Sequence, residues 1–132
     1  MPTGLTIVND ELLVGELTPF PGVPGAADVL RFKRNGEIRD RIHGFTAVLG
    51  VATDAARNLY VLESFTCSTS TPCFPSPASG QVVRVSPSGA RDVIASGLSF
   101  PTALRMGPDG ALYVSNFGYG PPNSGQILRI VP

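Results

Sequence analysis

Three tripeptides set the frame of this chain: Leu12-Leu13-Val14, Leu59-Tyr60-Val61 and Leu112-Tyr113-Val114, standing 47 and 53 residues apart. Each is followed by a second recurring segment, "DVLRFKRNG" from Asp28, "GQVVRVSPSG" from Gly80 and "GQILRIVP" from Gly125. Arg31, Arg84 and Arg129 hold the same place in it, between apolar residues. Upstream, "GFTAVLGVATDAARNL" (44–59) aligns without a gap on "GLSFPTALRMGPDGAL" (97–112), and "PTGL" (2–5) echoes "PTAL" (101–104). A period of about 40–50 residues marks stacked supersecondary units, propeller blades among them.

Each unit divides into short strands separated by turn residues. The first predicts strands over 4–8, 11–17, 28–33 and 37–42, the second over 48–53, 58–63, 81–86 and 90–95. The third predicts 102–106, 111–116 and 126–131, and no fourth. Leu-Tyr-Val does not alternate polar with apolar, as expected of a strand covered on both faces, and blades stacked face to face cover strands in that way. Pro108-Asp109-Gly110 is a turn with a mechanism: proline presets φ, aspartate bonds its own backbone, and glycine accepts φ > 0. The expected fold is all-β. It is a partial propeller of three antiparallel blades (2–43, 44–96 and 97–132) with eleven strands, the last blade lacking its outer one.

Composition narrows the function classes. Ten basic residues balance ten acidic ones, so the chain has no basic footprint for nucleic acid. Fifteen glycines and thirteen prolines in 132 residues punctuate the sequence too often for long helices. No stretch reaches the apolar length of a membrane span, and "MPTGLTIVND" lacks the regions of a signal peptide. The pair in "CSTSTPC", Cys67 and Cys73, is expected to form a disulfide and so implies an oxidising compartment. Two free thiols on a surface loop are the alternative. A metal site there lacks a third cysteine or a histidine.

"FPTALRMGPDGALYVSNFGYGPPNSGQILRI" resembles the closing blade of the ScyD/ScyE family, and the likeness extends through "GQVVRVSPSGARDVIASGLSFPTAL". The resemblance implies a six-bladed β-propeller and an exported protein, extracellular or periplasmic. Eleven strands supply about half of such a ring. An open arc leaves apolar blade faces and an unpaired edge bare. The chain is therefore expected to be the C-terminal portion of a longer propeller, or to close a ring with a second copy.

The loops after each second strand, 18–27, 64–80 and 117–125, are long and rich in proline and glycine. Phe20, Phe65, Phe74, Phe117 and Tyr119 lie in them. Ordered loops on a rigid scaffold are where binding concentrates, so a small molecule or a protein is the expected partner; loops that only cover the blade rims are the alternative. Glu16, Glu63 and Asn116 stand at equivalent places before these loops. If they converge on a channel they could ligate calcium, whereas polar strand ends in water are the commoner case.

Gluconolactonase-like propellers, which the chain also resembles, place Asp or Asn metal ligands where Thr3, Leu49 and Thr102 stand here. That disfavours their chemistry in this segment. His43, the only histidine, could be a general base, but no cofactor-binding cluster of the quinoprotein sugar dehydrogenases accompanies it. No nucleophile elbow or phosphate loop occurs, and Ser115 has no neighbouring base in sequence. The three repeated arginines are expected to be structural, pairing between blades. The sequence thus points to a noncatalytic binding or scaffold propeller. An enzyme of lactonase or quinoprotein type with its catalytic residues in further blades is the alternative, and a purely structural unit the third.

Overall fold

The computed structural model describes residues 1–67 and 73–132. Eleven strands form three antiparallel sheets: β1 (Pro2–Val8), β2 (Glu11–Glu16), β3 (Ala27–Phe32) and β4 (Ile38–Phe45) make the first. The second holds β5 (Val48–Thr53), β6 (Leu59–Glu63), β7 (Gly80–Val85) and β8 (Arg91–Leu98), and the third β9 (Ala103–Met106), β10 (Leu112–Asn116) and β11 (Gln126–Ile130). Neighbours in sequence are neighbours in each sheet. The first strands pack in succession, β1 on β5 and β5 on β9, so the sheets fan out from one side. This is a partial β-propeller.

The repeat holds at the level of single residue pairs. Leu13 lies opposite Arg31, Tyr60 opposite Arg84 and Tyr113 opposite Arg129. Around the tripeptides the side chains sort to opposite faces. Leu59 and Val61 join Leu13, Val29 and Phe45 in the core between the first two sheets. Tyr60 and Leu62 join Leu104, Leu112 and Val114 in the core between the second and third. All five residues of β6 are buried, because apolar neighbours cover both of its faces.

Two expectations change in detail. β4 and β8 run on to Phe45 and Leu98, three residues past the strand ends expected at 42 and 95, so Gly44-Phe45 and Gly97-Leu98 pair within the preceding sheets. Gly44 (φ 90°) and Gly97 (φ 74°) look like turn glycines in sequence. They sit instead where the register slips, opposite Ala27/Val29 and Gly80/Gln81. A bulge absorbs an extra residue and lets pairing resume beyond it.

The repeated arginines pair within their own sheets, not between them. Arg31 meets Glu11 and Asp40, Arg84 meets Asp92, and Arg129 meets Asp109. The arginine that does cross a seam is Arg91. Its guanidinium donates to the His43 carbonyl and lies 4.6 Å over the Phe45 ring. It is preceded by a turn and carries no repeat signature, so spacing alone does not single it out.

Tyr60 is 1% exposed, yet its hydroxyl reaches the turn before its strand and donates to Asp54 at 2.8 Å. Burial, helped by that hydrogen bond and the Asp54 charge, pushes the phenol up to about 12. The unfolded value is about 10. Below that pH both states hold the proton and the stabilisation is complete. Between the two values only the folded chain keeps it, so stability falls as pH rises. The loss is expected to reach on the order of 2 kcal/mol by the folded value. Urea midpoints measured across this alkaline range should decline in the native protein and flatten in Tyr60→Phe.

Candidate functional site

The loops following β2, β6 and β10 gather at one end of the sheets. A small buried cluster of Ala47, Phe65 and Cys73 fixes the first two. Cys67 and Cys73 form a disulfide, with Cα atoms 6.0 Å apart. Residues 68–72 of the loop expected over 64–80 lie outside the described residues. Cys73 also exchanges two backbone hydrogen bonds with Gly22, of 2.9 and 3.1 Å, which ties the second loop to the first. Replacing both cysteines by serine is expected to cost about 2 kcal/mol, the closure entropy of a short loop. The check is a lower Tm than that of the oxidised protein, with no further drop on adding reductant.

From this frame Phe20 and Phe74 project as an edge-to-face pair with centroids 5.3 Å apart. Across from them Phe100 and Tyr119 form a second such pair at 5.6 Å. Between the pairs lies an open cleft of about 530 Å³, which Ser64, Pro75, Thr102 and Gly118 also line. It adjoins a recess of about 240 Å³ reaching Leu17, Leu49 and Phe65, with Phe20, Ser64 and Pro75 common to both. Neither lining contains an Asp, Glu, Lys, Arg or His side chain.

Of the five aromatic residues singled out from sequence, Phe20, Phe74 and Tyr119 line the cleft and Phe65 forms part of the recess. Phe117 does not reach it. Its backbone has turned to φ 55°, and its N–H donates to the Ser99 carbonyl. Phe100 is the residue that sequence reasoning missed. It sits in the connection between blades, which emerges at the same end as the long loops, and that topology was the available clue.

Two of the three strand-end residues, Glu63 and Asn116, each accept a backbone N–H from the connection between blades. Glu63 is 4% exposed, and its carboxylate accepts the Thr46 N–H at 2.6 Å and the Gln81 side-chain amide at 2.6 Å. In the next unit the Asn116 carbonyl oxygen accepts the Ser99 N–H at 2.9 Å. The hydroxyls of Thr46 and Ser99 in turn accept the N–H groups of Gly25 and Ala78, from the loop of the preceding sheet. Each clasp joins a long loop, a blade connection and the next blade. Glu16 is half-buried at the end of β2, opposite Pro2. The described residues contain no group of three His, Cys, Asp or Glu side chains able to hold a metal ion.

The remaining candidates are placed as follows. The His43 Nδ1 lies 3.1 Å from both Asp28 oxygens, on the outer strand β4 and away from the cleft. Thr102 lines the cleft, with its hydroxyl 2.7 Å from that of Ser115. Leu49 lines the recess, and the Thr3 hydroxyl lies 3.1 Å from the Gly15 carbonyl oxygen.

No protein-family model and no curated protein matches the chain. Among solved structures it is similar to a candidate gluconolactonase, with a TM-score of 0.59 and 14% identity, over 98% of this chain and 49% of the other. It also aligns with virginiamycin B lyase from Staphylococcus aureus (TM-score 0.39, 12% identity, 97% of this chain and 54% of the other). A streptogramin B lyase aligns at a TM-score of 0.40 and 10% identity, over 97% and 53%. The chain spans about half the length of these structures. At such identities the first likeness concerns the fold alone.

Proposed function

We propose that the chain is the binding part of a ScyD/ScyE-type six-bladed propeller, noncatalytic in itself, which presents its loop face to a small molecule. One observation carries the reading: an uncharged, aromatic-rimmed cleft of about 530 Å³ opens where the loops of all three blades meet. That volume lies within the range of small-molecule sites, which are mostly apolar with a few polar groups. The disulfide supports an extracellular or periplasmic setting.

A second reading, part of a lactonase-like enzyme, is favoured by the fold likeness to the candidate gluconolactonase. One experiment separates the two. Backbone amide shifts are followed while small molecules, glucono-δ-lactone with calcium included, are added and hydrolysis of the lactone is assayed. The binding reading expects saturable shifts in 18–26, 73–79 and 117–125 and no turnover. Turnover, or shifts confined to the opposite, arginine-rich end around Arg31 and Arg57, would sink it.

A further inference from the structure

The chemistry of the cleft narrows what it can hold, given that the loop face is the binding face. Eight pairs of arginine or lysine with a carboxylate occur among the described residues, and none uses a residue of the cleft or the recess. A charged ligand in the cleft, whose lining holds no charged side chain, would give up its hydration without a counter-ion, which is costly. The rims are rings. Phe20, Phe74 and Tyr119 are 71%, 49% and 77% exposed although each already packs against a partner ring. Aromatic rings gain most from further rings met edge to face or offset.

Phe100 adds an independent observation. It is held at φ 48°, a left-handed conformation that costs a residue with a side chain about 1 kcal/mol and that glycine adopts freely. Six other non-glycine residues among those described share this sign of φ, Phe117 among them, and Phe100 is the one that carries a rim ring. Two hydroxyl-bearing residues, Ser64 and Tyr119, border the cleft. They supply the polar contacts such a site needs.

We propose that this cleft binds an uncharged aromatic compound, gripped between the Phe20–Phe74 and Phe100–Tyr119 pairs. Phe20, Ser64 and Pro75 line both the cleft and the recess.

The test uses two dyes with one aromatic body, neutral phenyl-naphthylamine and its anionic analogue anilinonaphthalene sulfonate. The amine should bind saturably at one site, roughly tenfold tighter than the sulfonate. Phe74→Ala and Tyr119→Ala should each weaken it by about tenfold, as loss of a ring contact implies. Both are exposed positions, and an unchanged Tm verifies folding. Equal affinity for the two dyes overturns the selectivity for neutral compounds. Binding of the amine that neither substitution weakens overturns the site. Loop-face amide shifts with glucono-δ-lactone but not with the amine overturn the ligand class and leave the binding face standing. No shift at the loop face with any of the three probes removes both.

Discussion

Replacing Glu63 by alanine is expected to lower the free energy of unfolding by about 4 kcal/mol, since each donor left without an acceptor costs 1–3 kcal/mol. The carboxylate serves two donors at once, the Thr46 N–H and the Gln81 side-chain amide, in a site only 4% exposed. Domains of ordinary stability have only 5–15 kcal/mol in all, so the loss should be plain as a drop in the urea midpoint. Glu63→Gln keeps one oxygen but turns an NH₂ toward the other donor, and should fall between. Asn116→Ala, which frees the single N–H of Ser99, should cost about half as much. Calcium that raises the Tm of the native protein but not that of Glu63→Ala would instead make this residue a ligand.

The seam between the second and third sheets should tolerate no side chain at Gly50. A Cβ there would stand 2.7 Å from the Leu104 Cβ and 2.9 Å from the Leu104 N. The atoms in the way belong to β9 itself and to the root of a side chain, so no rotamer change relieves them. Gly50→Val is expected to cost about 3 kcal/mol or more, and Gly50→Ala somewhat less. The damage should be local in kind. Near-ultraviolet circular dichroism from Tyr60, buried in this seam, should fade before the far-ultraviolet strand signal does. A Gly50→Val protein with native stability would mean that the two sheets are not packed through their first strands.

What sequence conveyed and what it withheld divide along a physical line. Strand periodicity is a one-dimensional property, so Leu13, Tyr60 and Tyr113 could be aligned before any coordinates were known, and they occupy equivalent pairs. Contacts across space leave a weaker trace. Arg31 and Arg84 each reach an acid on the fourth strand of their own sheet, Arg31 meeting Glu11 on the second as well, while Arg129 turns back to Asp109. The clasp was half legible. Thr46 precedes Glu63, and Ser99 precedes Asn116, by the same 17 residues, but only the later member of each pair stood out, and as a metal ligand. The cleft was legible as a place and not as a shape, because Phe100 lies in a connection while its partner Tyr119 lies in a loop.

Thr46 has all three of its polar groups engaged across a boundary. Its N–H goes forward to Glu63, while its carbonyl and hydroxyl receive Thr18 and Gly25 from behind. A rivet of this kind couples the adjoining blades through one residue. Neither can swing open as a hinge without tearing the connection that joins it to the other. Such a molecule is expected to come apart at its ends before it parts in the middle, and its aromatic rim stays taut for as long as the central joint holds.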